Sequence, residues 1–228
     1  MKKLGVLGTA FALAALFAAL AMARQHDQNT LADVPVPRGA SGQYGTTTAK
    51  AVRGRKQQPA PAGVTVSQKL AAQVKYARLA TAKYATDLDR AKQDGYVVLT
   101  QMIPDMGWHF VNPKIKGFDV TKPPILVYGK HGSKWQLVAF EWVFPEKPKT
   151  PPLPGATYGA FGAACHYKDG TFYFEETQAN CKSTSPQSGA SFASWHPALV
   201  TMHLWAWYPN PDGIFNGMNP LMRPFNHG

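Results

Sequence analysis

Cysteine and charged residues are scarce in this chain of 228 residues. The two cysteines exclude a disulfide-dense miniprotein and a zinc module with four cysteine ligands. Charged residues make up only 16% of the chain and aromatic residues 12%. This mixed, non-repetitive composition excludes a wholly disordered or collagen-like chain. The length fits one domain of ordinary size with a hydrophobic core.

The sequence also lacks the motifs of nucleotide and nucleic-acid binding. No P-loop and no G-x-G-x-x-G opening a helix are present, so we expect no nucleotide cofactor. The net charge is +11, but residues 66–228 carry 16 bases against 11 acids, and those bases are scattered along the chain. A nucleic-acid face needs clustered bases, so we expect no nucleic-acid partner.

Residues 1–23 have the pattern of an export signal. Lys2 and Lys3 precede an almost wholly apolar run from Leu4 to Leu20, and Ala21-Met22-Ala23 follows. This layout predicts a secretory signal peptide that is cleaved after Ala23. An uncleaved anchor is the alternative, because the apolar run is nearly long enough to span a bilayer. No second long apolar run follows, so we expect a periplasmic or secreted protein without an integral membrane domain.

Residues 24–65 are dominated by Gly, Ser, Thr, Pro, Gln and Ala and show no apolar period. Such a segment cannot bury enough surface to offset the entropy of ordering it, so we predict a disordered linker. Its basic residues offer an alternative role, contact with an acidic envelope surface. The remaining residues, 66–228, are predicted to form a single globular domain.

The fold class predicted for this domain is α+β. Apolar residues recur at three- and four-residue steps from Ser67 to Asp94, and Gly95 follows, which predicts one long amphipathic helix of about seven turns. After it come short segments rich in β-branched and aromatic residues, including Lys134–Phe144 and Leu199–Tyr208. A helix followed by consecutive strands predicts that the helix packs on an antiparallel β-sheet.

Three polar residues stand inside apolar strands of this sheet. His109, Glu141 and His203 lie in the segments GWHFVN, LVAFEWVF and TMHLWAW. A buried carboxylate is costly unless it is paired, hydrogen-bonded or bound to a metal. If the three side chains converge, they form a set that suits zinc, copper or non-haem iron. The alternative is that each is a core residue satisfied separately, the histidines by backbone carbonyls and the glutamate by a lysine or a tyrosine.

Tryptophans flank these residues in the sequence. Alternation along a strand puts Trp205 and Trp207 on the face of His203, which predicts an aromatic-walled pocket around that histidine. We therefore regard Trp108, Trp142, Trp205 and Trp207 as candidate pocket residues for a small ligand.

The two cysteines, Cys165 and Cys181, are predicted to form a disulfide, because a pair of cysteines in an oxidising compartment usually does so. The alternative is a thiolate metal site built from Cys165 and His166.

A serine nucleophile has little support. Ser191, Ser194 and His196 stand close together, but no G-x-S-x-G elbow surrounds either serine.

Three segments carry a resemblance to a known family: MGWHFVNP (106–113), PILVYGKHGSKWQLVAFEW (124–142) and MHLWAWYPNPDGIFNGMNP (202–220). Together they resemble a family of exported bacterial proteins without an assigned activity. The resemblance covers about residues 75–222, and its motifs include His109, Glu141 and His203. It implies export and supports the shared site. It implies no known reaction and gives no support to the disulfide.

The function predicted from these observations is binding of a divalent metal or small ligand at the His/Glu/His pocket. The alternatives are a metal-dependent enzyme of the envelope and a non-catalytic structural envelope protein.

Overall fold

The computed structural model describes residues 66–226, so the predicted signal peptide (1–23) and linker (24–65) lie outside the described residues. Within this part, the α-helices are α1 (Val66–Thr81) and α2 (Leu88–Gln93). Short 3₁₀ helices cover Ala82–Tyr84, Gln178–Asn180 and Pro220–Asn226. No helix among residues 66–226 is long and apolar enough to cross a membrane.

Nine β-strands make up most of the regular structure between residues 66 and 226. They are β1 (Val97–Ile103), β2 (Gly107–Val111), β3 (Ile125–His131), β4 (Lys134–Phe144), β5 (Gly159–Phe161), β6 (Ala164–Tyr167), β7 (Phe172–Phe174), β8 (Phe192–His196) and β9 (Leu199–Leu204). A six-stranded sheet has the order β1-β2-β3-β4-β9-β5, and a three-stranded sheet the order β7-β6-β8. All pairs are antiparallel. The second sheet is thus inserted between β4 and β9, which are neighbours in the first.

The predicted α+β class, with one long helix packed on a sheet, is wrong. The described chain is mostly β-sheet, and the predicted seven-turn helix over 67–94 is interrupted after Thr81. Two strands that the sequence did not predict, β5 and β8, extend the two sheets. The fold is therefore a two-sheet structure with a short helical segment at its start.

Beyond α1, the large sheet forms hydrogen bonds with the backbone segment through which the predicted helix would continue. The carbonyl of Tyr84 accepts a hydrogen bond from the hydroxyl of Tyr128, and the carbonyl of Ala85 accepts one from the backbone N–H of Leu137. Both donors lie in the large sheet. Asp87 then caps α2, its side chain accepting from the N–H of Arg90.

One face of the large sheet packs against the helices. Its core holds Phe110, Leu126, Phe140, Trp142 and Leu204, together with buried residues of the helical segment. Strand alternation explains this set, because Phe140 lies opposite Leu204 and Trp142 lies opposite Met202 in the register of β4 and β9. This apolar face supplies most of the buried hydrophobic surface of the fold.

The opposite face of the large sheet carries fewer apolar side chains. Its smaller cluster contains Val127, Ala139 and Trp205, which pack with Met222 of the C-terminal 3₁₀ helix. Gly217, earlier in the same C-terminal segment, approaches His203 so closely that a Cβ there would stand 3.6 Å from the Nδ1 atom. The C-terminal segment therefore covers this face of the sheet.

A disulfide closes part of the inserted sheet. Cys165 on β6 is bonded to Cys181, with Cα atoms 5.7 Å apart. The predicted disulfide is confirmed, and the alternative thiolate site with His166 is excluded because no free thiol remains at Cys165.

Candidate metal centre

Strand register brings Glu141 and His203 together. They are directly opposite each other in the pairing of β4 with β9, so both side chains leave the sheet on the same face. His109 lies on β2, opposite Val127 of β3, which in turn lies opposite Ala139 of β4. Because Ala139 and Glu141 are two residues apart on one strand, His109 projects to the same face. Three strands thus direct three metal-ligating side chains to one place.

The three side chains, which the sequence marked as candidate ligands, lie together in the structure. The Nε2 atom of His109 is 3.6 Å from Oε2 of Glu141, and the Nε2 atom of His203 is 3.7 Å from Oε1. One ligand atom from each residue lies within 4.8 Å of the other two, so the group could hold a metal ion. All three residues are buried, with at most 7% of their surface exposed.

The gaps between these atoms are too wide for hydrogen bonds. Both nitrogen–oxygen separations exceed the distance at which such a bond has appreciable strength. The Nε2 atom of His203 is fully buried and has no hydrogen-bond partner. A buried polar atom of this kind is costly unless something satisfies it, and a cation between the imidazoles and the carboxylate would do so.

Burial decides the charge of the group. Removal from water raises the pKa of Glu141 from 4.5 to about 8. The same burial, with the neighbouring His203, lowers the pKa of His109 to about 3, and burial lowers the pKa of His203 to about 4. Without a bound ion the group is therefore neutral at pH 7, with a protonated carboxyl and two neutral imidazoles.

Thr100 orients His109 and was not predicted from the sequence. Its Oγ1 atom is 2.8 Å from Nδ1 of His109, and both side chains are buried. A threonine hydroxyl that holds one ring nitrogen leaves the other, Nε2, directed at Glu141. No local signal marks Thr100, because its contact with His109 depends on a register shift between β1 and β2.

The four candidate tryptophans do not lie together. Trp142 is part of the core on the helix side of the sheet, and Trp108 and Trp207 pack against that same core. Only Trp205 belongs to the cluster on the other face. The alternation of faces does not extend to Trp207, because β9 ends at Leu204. The indole N–H of Trp207 donates a hydrogen bond to the Thr81 hydroxyl.

Comparison with known proteins adds no identification: no protein-family model, curated protein or solved structure matches the chain. The resemblance to an exported family therefore stays a prediction. The functional conclusion depends on the chemistry of the site itself.

Proposed function

We propose that the protein binds one divalent transition metal ion through His109, Glu141 and His203. The observation that carries this proposal is the convergence of three buried ligand atoms with gaps of 3.6 and 3.7 Å between nitrogen and oxygen. Two imidazoles and a carboxylate are a common donor set for zinc, copper and non-haem iron.

The spacing of the ligands favours zinc. Zinc bonds of about 2.1 Å in tetrahedral geometry place neighbouring ligand atoms about 3.4 Å apart, whereas right-angled ligands lie about 3.0 Å apart. The two separations of 3.6 and 3.7 Å are closer to the tetrahedral value. With Nε2 on the metal, Nδ1–H of His109 would donate to the Thr100 hydroxyl, the outer support that metal-ligating histidines generally have.

We place this activity in an oxidising compartment outside the cytoplasm. The disulfide between Cys165 and Cys181 supports that location, because such bonds persist chiefly where thiols are not kept reduced. The signal pattern of residues 1–23 supports it independently.

Metal titration of the purified chain tests the proposal. After stripping with a chelator, wild-type protein should take up one equivalent of zinc and melt at a higher temperature in its presence, because a ligand that binds only the folded state stabilises it. The variants His203→Gln and Glu141→Gln should lose this equivalent.

The matched control is His131→Gln, since His131 is an exposed histidine at the end of β3. It should bind zinc as the wild type does. A stripped wild-type protein that neither binds zinc or copper nor changes its melting temperature would refute the metal site.

A metal-dependent enzyme is the second candidate. Among residues 66–226, three protein ligands converge. Catalytic zinc sites characteristically keep a fourth position open, whereas structural sites are closed by four ligands. Cobalt substitution separates the two roles. If small anions such as azide change the visible spectrum of the cobalt protein, an exchangeable fourth position exists, and an unchanged spectrum opposes catalysis.

A further inference from the structure

The inserted three-stranded sheet contacts β1, the strand that carries Thr100. The turn between β6 and β7 lies against this strand, and the backbone N–H of Gln101 donates a 2.8 Å hydrogen bond to the carbonyl oxygen of Gly170. Thr100, the residue next to Gln101, is hydrogen-bonded to Nδ1 of His109. The inserted sheet therefore meets the chain directly beside the residue that orients one of the candidate metal ligands.

Thr100 reaches His109 because β1 contains one extra residue. In the pairing of β1 with β2, Val98 lies opposite Phe110. The next pair is Thr100 with His109, so Leu99 is the additional residue of a β-bulge. In an unshifted register Leu99 would stand opposite His109, and a leucine side chain cannot hydrogen-bond to an imidazole nitrogen. The bulge therefore decides whether Nδ1 of His109 has a partner.

The inserted sheet holds both neighbours of Thr100. On one side, the carbonyl oxygen of Leu99 accepts a hydrogen bond of 3.0 Å from Nδ1 of His166 on β6. On the other side, the N–H of Gln101 is bonded to the turn, as described above. Two hydrogen bonds from one sheet thus fix the backbone immediately before and after Thr100.

The ring of His166 is itself held in place. It is 2% exposed and stacks against Phe161 and Phe172. Its Nε2 atom is 2.9 Å from Nε2 of His196, which gives a hydrogen bond between the two rings. Because the ring is fixed by packing and by this bond, the carbonyl of Leu99 is fixed with it.

The turn approaches β1 so closely that only glycine fits at position 170. A Cβ atom there would lie 2.9 Å from the backbone nitrogen of Gln101, 3.0 Å from the carbonyl carbon of Thr100 and 2.7 Å from Cγ2 of Val98. The φ angle of Gly170 is +84°, which also favours glycine. A larger residue at this position would displace β1 at Thr100.

We propose that Gly170 and His166 are positioning residues of the metal centre, because they hold the bulge of β1 in which Thr100 supports His109. This inference rests on the metal site proposed above and adds the inserted sheet to the residues that determine its affinity. Both residues act through Thr100, so the loss of either should weaken zinc binding no more than the loss of the Thr100 hydroxyl does.

Zinc titration of Gly170→Ala tests this role. The added methyl group should displace Thr100 and weaken zinc binding about 10–100-fold, the usual effect of losing the outer support of a ligating histidine. The variant that combines Gly170→Ala with Thr100→Val should bind zinc as weakly as Thr100→Val alone, since residues that act through one contact are not additive. The matched control is Gly189→Ala. Gly189 also has a positive φ, +75°, but a Cβ there would meet nothing within 4 Å, so zinc affinity should not change.

His166→Phe is the second variant. It keeps an aromatic ring against Phe161 and Phe172 but removes the donor to the Leu99 carbonyl, so it should also weaken zinc binding. His166→Asn should bind zinc more tightly than His166→Phe, because the amide of asparagine can donate from close to the position of Nδ1. Both variants lose the bond to His196, so the difference between them measures the contribution of the bond to Leu99.

Nitrogen NMR of the metal-free protein separates this proposal from the metal site. In Gly170→Ala the Nδ1 signal of His109 should move as it does in Thr100→Val, because both variants lose the same hydrogen bond. An unchanged Nδ1 signal, wild-type zinc affinity, or a loss of affinity that adds to that of Thr100→Val would overturn the positioning role. If Gly170→Ala does not fold, His166→Phe is judged by the same three results. A wild-type protein that binds no zinc while the variants show the Nδ1 shift would refute the metal site and leave the positioning of His109 established.

Discussion

Thr100 and His109 are joined side chain to side chain across β1 and β2, with Oγ1 of the threonine 2.8 Å from Nδ1 of the histidine. This bond keeps Nε2 of His109 directed at Glu141. Thr100→Val keeps the shape of the side chain and removes the hydroxyl, so it should weaken zinc binding about 10–100-fold, the usual effect of losing such support. Calorimetric titration of zinc measures the change.

The matched control for this prediction is Thr201→Val, which makes the same substitution at a buried position of β9. It should leave zinc affinity close to that of wild type. An equal loss in both variants would show that packing, rather than the orientation of His109, sets the affinity.

Glu141→Gln should stabilise the metal-free protein increasingly as the pH rises. Burial raises the pKa of Glu141 from 4.5 to about 8, so the unfolded chain ionises this carboxyl at a lower pH than the folded chain does. Between these two values the wild type therefore loses stability relative to the glutamine variant, by at most about 1.4 kcal/mol per pH unit. Above about pH 8 the difference becomes constant.

Urea unfolding of both proteins in chelator at pH 5, 6.5 and 8 measures this difference. The free energy of unfolding of Glu141→Gln should exceed that of wild type most at pH 8. A difference that stays the same at all three pH values would mean that the folded and unfolded carboxyls share one pKa.

Zinc affinity should rise with pH up to about 8. The pKa values of His109 and His203 are lowered to about 3 and 4, so above pH 5 both imidazoles are already neutral. Only Glu141, whose pKa is about 8, must lose a proton to bind the metal. Kd should therefore fall about tenfold per pH unit between pH 6 and 7.5. Titration in buffers of different ionisation enthalpy should detect release of one proton, and release of two or more would contradict this assignment.

Removal of the disulfide should lower the free energy of unfolding by about 3 kcal/mol, mainly because the unfolded chain gains conformational entropy. The bond joins Cys165 and Cys181, which are 16 residues apart. The double variant with alanine at both positions should unfold at a lower urea concentration than wild type. A reducing agent should produce the same shift in the wild type and none in the double variant, and an effect on both would point to a different target of the reductant.

Asp87→Ala should lower the free energy of unfolding by about 1 kcal/mol, because it removes the side chain that caps α2. Asp89→Ala is the control, since Asp89 lies in the first turn of α2 with 81% of its side chain exposed. In thermal unfolding, the melting temperature should fall more for Asp87→Ala than for Asp89→Ala. Equal losses would indicate a general effect of negative charge at the start of the helix.

The sequence was sufficient to identify the three candidate ligands, but not to place them together. An apolar background made the ionisable residues of β2, β4 and β9 conspicuous, and the bounds of β4 were predicted as Lys134–Phe144, where the structure has them. The convergence of His109 with Glu141 needed information that no single strand contains. It depends on β3 lying between β2 and β4, which is a property of the sheet order.

Other features escaped prediction because tertiary contacts decide them. The apolar period of the helical region continues past α1, but the carbonyls of Tyr84 and Ala85 accept hydrogen bonds from the sheet and are not available to continue an α-helix. Alternation assigned Trp207 to the face of His203, but β9 stops at Leu204 and the tryptophan turns away. His166 and His196 are brought together by the pairing of β6 with β8, and β8 was not predicted.

The pairing of β4 with β9 spans the entire inserted sheet, and this has a consequence for the timing of metal uptake. Contacts between distant parts of a chain form slowly, because a long loop must close first. A chain synthesised only as far as β8 contains His109 and Glu141 but lacks His203, so it cannot hold an ion at the complete site. Zinc uptake by this group is therefore expected to follow the docking of β9. The rate of zinc uptake would then report the rate of the last stage of folding.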